Sequence, residues 1–138
     1  MFDFVETYAR TGEPSPTTVL LMAAARRDFF LTVQHGQFYQ GKPVIGYDLP
    51  GFGDELCGLP YLPRLIAKAR AKLVGSMGDD IIYCCENDRR FFRDHGNIHP
   101  ADFLRVVWAA GDSDPKVYDY VRQRTLSVSS AVPDNEQM

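Results

Sequence analysis

Between Ile81 and Pro100 the chain reads IIYCCENDRRFFRDHGNIHP, in which the adjacent thiols Cys84 and Cys85 stand among Tyr83, Glu86, Asp88, several arginines, His95 and His99. A thiol becomes a nucleophile or redox group where a helix N-terminus or a nearby cation favours its ionised form. Cys85 lies just ahead of a predicted helix start, with Arg89 and Arg90 close by. Packing is the plainer reading of both cysteines, because free cysteine behaves as a small buried hydrophobe. Asp88 reads as an N-cap or an arginine partner, and more sharply as a general acid or base if the fold encloses it with Tyr83. His95 falls at a helix C-terminus, where the dipole favours its charged form, and is the second candidate proton carrier. Zinc would have to draw on Cys57, Cys84, Cys85, His95 and His99, but adjacent cysteines aim apart and the histidines straddle Gly96, so no metal is expected.

Binding groups are candidates upstream. Arg64, Lys68 and Lys72 recur at helical spacing and read as a solvated face, or alternatively as the seat of an anion, with Arg64 as the fork-shaped donor. Arg70 is the alternative anion holder. Tyr47, Phe52 and Tyr61 belong to the Gly- and Pro-rich stretch of residues 41–63, a long loop that can roof a pocket. Its glycines lack the Lys-Ser or Lys-Thr and the strand-to-helix setting of a phosphate loop, so no nucleotide is implied.

The elements that must position these groups are mostly helical. Residues 2–10 form a short arm ended by Gly12, Pro14 and Pro16, so that 1–16 precedes the body. A helix capped by Thr17 or Thr18 runs toward Gly36, gathering Val19, Met22, Ala23, Phe29, Phe30 and Val33 on one side with Arg26 inside that sector. The competing reading pairs FFLTVQ with FYQGKPVIGY as a small β-hairpin around residues 29–45. LPRLIAKARAKLVGSMG is the clearest helix, with Pro63 in its first turn, Gly75 or Gly78 at its end, and Leu65, Ile66, Ala69 and Leu73 in one stripe. Asn87 or Asp88 caps the next, which turns Phe91 and Phe92 inward. Two more follow, one buried through Phe103, Leu104, Val107 and Trp108, the other started by Asp114 and Pro115. The expectation is an all-α single domain of five or six helices over residues 1–126, followed by a disordered tail at 127–138.

Composition narrows the function classes. A chain of 138 residues with 45% apolar and 24% charged residues is an ordinary folding domain rather than a disordered one. A net charge of −3 offers no field for phosphate backbones, so nucleic acid is not an expected partner. No run reaches the length of apolar residues that spans a membrane, and three cysteines fit reduced thiols, so the expected setting is the cytoplasm. Aromatics at 12% must be packed or used to line something.

Leu62, Pro63, Arg64, Leu65, Ile66, Lys68, Ala69 and Arg70, followed by Gly78, Tyr83, Cys85, Asp88, Arg90, Phe91 and Phe92, resemble a family of bacterial proteins known as domain of unknown function 5069. The likeness spans about residues 59–122; Cys84 and Glu86 stand where the family tends to have Asn and Pro, and the first 55 residues lie outside it. The resemblance implies a small, mainly helical domain and no particular activity. Two functions therefore stay open. One is a cofactor-independent enzyme acting on a small, partly apolar molecule with room for an anionic group: Asp88 or His95 moves a proton, Tyr83 orients, Cys85 reacts, Arg64, Lys68 or Arg70 holds the anion, and Tyr47, Phe52 and Tyr61 form the roof. The other is a non-catalytic adaptor that forms a homodimer through the Phe29 to Tyr39 region or the Trp108 helix.

Overall fold

The computed structural model describes residues 14–137, those beyond 127 as helical backbone. The expected arm thus falls almost wholly outside the described residues. Ser15 Oγ accepts the Thr18 N–H at 3.1 Å and Pro16 takes the first helical position, which sets the start of α1 (Pro16–Thr32) ahead of the expected caps Thr17 and Thr18. After a 3₁₀ turn at Gly46–Asp48 come two short strands, β1 (Glu55–Leu56) and β2 (Leu59–Pro60), paired antiparallel with Leu56 opposite Leu59. Four helices complete the chain: α2 (Leu62–Val74), α3 (Glu86–Asp94), α4 (Pro100–Ala110) and α5 (Asp114–Gln137). The chain is mainly α, as its periodicity predicts.

The core gathers the inner faces of α2, α3, α4 and α5. Leu62, Leu65, Ile66, Ala69 and Leu73 meet Phe91 and Phe92, then Phe103, Leu104 and Val107, then Val117 and Val121. Each large apolar side chain removed from water contributes about 1.5–3 kcal/mol, so these helices carry the stability of the domain. Helix α1 lies across α2 and α4 but buries only Met22 and Ala25. The apolar sector expected for it is therefore corrected: Val19 and Val33 are exposed, because α1 is a ledge touching the core along one narrow edge.

Three further readings change. The small hairpin is not at residues 29–45, where the chain is helical to Thr32 and then irregular; it closes within the 41–63 stretch, at Cys57 (φ 51°) and Gly58 (φ 83°). A two-residue turn needs positive φ at both central positions, and Cys-Gly is a weaker signal for that than Asn-Gly. The last helix is expected to end at 126 but runs on to Gln137, its first part docked through Val117 and Val121. Arg26 is not the end of its helix, and among the described residues it has no ion-pair partner. Its Nε–H donates to the Lys72 carbonyl (3.1 Å), and beside it the Gln34 amide donates to the Val74 carbonyl (2.8 Å), so α1 caps the C-terminus of α2. Among the described residues, no helix is long and apolar enough to cross a membrane.

Candidate functional site

Helix α3 begins earlier than its sequence suggests. Cys85 is the N-cap and Asp88 the third helical residue, whose carboxylate reaches back to the cap. Cys84, in the left-handed region at φ 72°, turns the backbone so that two successive N–H groups face that carboxylate: Cys84 N at 2.9 Å and Cys85 N at 3.3 Å from Oδ2. Lys68 approaches from α2, its ammonium 3.0 Å from Oδ2 and 3.2 Å from Oδ1. The Tyr61 hydroxyl donates to Oδ1 from the N-cap of α2, where Tyr61 also has positive φ (76°). Asp88 is wholly buried and the Lys68 side chain is 6% exposed. A buried ion pair is tolerated when every lone pair and proton finds a partner, and here that condition is met by three different segments. Burial first, and then the Asp88 carboxylate, push the Tyr61 phenol far above its ordinary value, so it stays protonated and donates.

Lys68 has a third donor, and it points to Cys85: Nζ lies 3.4 Å from Sγ. Cys85, Tyr61 and Lys68 all line a cavity of about 210 Å³. Leu49, Phe52, Ile81 and Ile82 give it an apolar wall, and Arg64, Asn87 and Asp80 a polar one, the Asp80 carboxylate accepting the Gly46 N–H at 2.8 Å. Arg64 lies with its guanidinium carbon 4.2 Å from the Phe52 ring centroid and donates from Nη1 to the Pro50 carbonyl at 3.0 Å. Its buried Nε–H has no partner among the described residues.

The structure thus brings together Cys85, Lys68, Tyr61, Arg64 and Phe52 around one cavity, with Asp88 directly behind. It leaves four sequence candidates elsewhere. Tyr83 is buried and donates to the Pro100 carbonyl (2.8 Å), pinning the 81–85 link to α4, and burial raises its phenol well above the ordinary value. His95 caps the C-terminus of α3, its Nδ1–H donating to Phe91 O at 2.8 Å and its ring stacked on Phe91 at 4.1 Å. Arg70 is occupied by Gly111 O (3.0 Å) and Asp114 (2.6 Å). Tyr47 is 94% exposed and lines none of this wall. Cys84 is packed, and burial lifts its thiol to about 11.

The solvated basic face is corrected at its centre. Helix α2 is buried at Leu62, Leu65, Ile66, Lys68, Ala69, Ala71 and Leu73, most of its circumference, so Lys68 has no water to face. The missed signal is the Asp three residues after Cys85, a capping-box spacing that moves the start of α3 and places Asp88 inward. Asn87 and Leu49 were also missed, because neither residue type marks a site on its own. Among the described residues, no three His, Cys, Asp or Glu side chains gather as metal ligands.

No curated protein and no solved structure matches the chain. A family model does, over residues 53–132, which takes in both strands, Tyr61, Lys68, Cys85 and Asp88 while leaving out α1, Leu49 and Phe52. That match covers more than half of the 138 residues, and the chain belongs to the family described as a domain of unknown function (DUF5069).

Proposed function

We propose that the cavity beside Cys85 binds a small, partly apolar molecule carrying an anionic group, and acts on it by acid/base chemistry that needs no cofactor. The observation that carries this reading is the convergence of Tyr61, Lys68, Cys85 and Arg64 on one cavity wall, backed by a fully buried carboxylate. Arg64 holds the anion, since it is already stacked on Phe52 and its Nε–H lacks a partner among the described residues. Leu49, Phe52, Ile81 and Ile82 receive the apolar part. Lys68 supplies the proton, while Tyr61, which stays protonated, fixes Asp88. Asp88 is a positioning residue that orients both, not itself the group that moves a proton. Reduced thiols support a cytoplasmic setting for this chemistry.

Titration of benzoate, hexanoate and inorganic phosphate, followed by chemical-shift changes and thermal unfolding, tests the reading. Benzoate or hexanoate is expected to perturb residues around Phe52 and Cys85 and to bind about tenfold more weakly to Arg64→Met, the loss expected when a charge-assisted hydrogen bond is removed. Absence of binding by all three, or binding indifferent to Arg64→Met, would overturn it.

A second reading, a homodimeric adaptor, is favoured by one observation: Val19, Leu20, Leu21, Leu31, Val33 and Phe38 are all exposed on and just after α1. The Trp108 helix is a weaker candidate for that surface, since the indole is packed edge-on against Phe29 at 5.3 Å.

A further inference from the structure

Cys85 occupies a place in this cavity that proton transfer by Lys68 does not explain. The buried ammonium of Lys68 has two of its contacts on Asp88 and its third on the Cys85 sulfur, 3.4 Å away. Cys85 is the N-cap residue of α3 and lines the cavity, whereas its neighbour Cys84 is 1% exposed. Attack by sulfur on carbon needs negative charge on the sulfur as the bond forms, and a cation together with a helix N-terminus is the environment that such a step requires. The Arg64 guanidinium is on the wall of the same cavity, with an unsatisfied buried N–H, a feature that itself asks for an acceptor atom.

We infer that Cys85 is a covalent site for a small carboxylate whose carboxyl group is held at Arg64 and whose adjacent carbon carries a leaving group. The inference rests on the anion-binding reading of the cavity. In the step, the sulfur–carbon bond forms as the carbon–leaving-group bond breaks; the leaving group departs with the bonding electron pair, and the thiol proton passes to solvent. Lys68 faces the sulfur throughout, and Asp88 keeps Lys68 in place.

Iodoacetate is the smallest probe of this class, and iodoacetamide its neutral counterpart. Both are applied to a Cys57→Ser protein, because Cys57 is exposed on the β-turn and would compete. Alkylation is mapped by peptide mass spectrometry. The expected result is modification at Cys85 with iodoacetate at least about tenfold faster than with iodoacetamide, at a rate that saturates with concentration. Arg64→Met should remove the preference and the saturation while Cys85 continues to react with iodoacetamide. Lys68→Met should slow both reagents; should that variant not fold, the Arg64→Met comparison decides alone. Saturable binding of benzoate that weakens in Arg64→Met, with no modification of Cys85 by either reagent, would overturn the covalent site and leave the anion cavity standing. Equal, non-saturating alkylation by both reagents would overturn this inference together with the anion-binding reading.

Discussion

At the scale of single residues, the decisive arrangement is the carboxylate of Asp88 surrounded by Lys68, the Tyr61 hydroxyl and two backbone N–H groups. Removing either charge of such a pair leaves the other buried without compensation, which costs about 3–5 kcal/mol. Lys68→Met and Asp88→Asn are therefore each expected to lower the unfolding free energy by that amount in urea titrations. The double variant should lose about 1–3 kcal/mol less than the sum of the two, because residues in one hydrogen-bond network couple. Strictly additive losses would mean that the pair is not the partnership described above. The residue types of this network are plain in the sequence, and Asp88 stands out there as a cap or an ion-pair partner. The identity of its cation is not, since Arg89 and Arg90 are adjacent and Lys68 comes from another helix. Arg89 turns instead to the Cys84 carbonyl, 2.7 Å away.

At the scale of elements, most helix limits follow from local chemistry. Gly75 ends α2 in the left-handed conformation (φ 83°), and a Cβ there would collide with the Arg26 guanidinium that caps the same helix end. His99 caps α4 through Nδ1, which accepts the Ala101 N–H at 3.0 Å. Helix α1 departs from the pattern, because it is apolar on several faces yet buries only Met22 and Ala25. Such a helix is normally covered all round. If a second copy of the chain covers it, Leu20 and Leu31, 71% and 51% exposed, lie in the contact, being about three turns apart on one face. Leu20→Glu with Leu31→Glu should then convert a dimer to a monomer in sedimentation velocity with little change in monomer stability. A wild-type chain that sediments as a monomer at all concentrations would remove the adaptor reading.

At the scale of the whole molecule, burial of three titrating groups ties stability to alkaline pH. The Cys84 thiol is raised from 9.0 to about 11, mainly by burial, and the phenols of Tyr61 and Tyr83 are raised above their ordinary 10.0 for the same first cause. A group that titrates higher in the folded state holds its proton after the unfolded chain has lost it. Its contribution is therefore complete below the unfolded value and declines as pH rises toward the folded one. Unfolding free energy is expected to be level up to pH 9 and to fall between pH 9 and 11, by about 2–3 kcal/mol from Cys84 alone, with the tyrosines extending the decline above pH 10. Urea midpoints measured at intervals from pH 8 to 11 check this. Cys84→Ala should flatten the first part of the slope and leave the tyrosine part, while stability that rises with pH over this range would contradict the burial of these groups.

The chain's own order of residues determined which segments are helical and, to within a few residues, where most of them begin, because capping groups, Pro in a first turn and Gly beyond a last one act within a few residues of one another. It also determined which face of α2, α3 and α4 is apolar, since that depends only on the 3.6-residue period. Tertiary structure alone decided that Lys68 is interior, that Tyr61 and not Tyr83 meets Asp88, that the Arg64 Nε–H is left without a partner among the described residues while Arg70 is taken up by Gly111 and Asp114, and that His95 stands apart from the cavity. Those outcomes depend on distances between α2, α3 and the loops flanking them, and a period along one helix carries no information about what lies across from it.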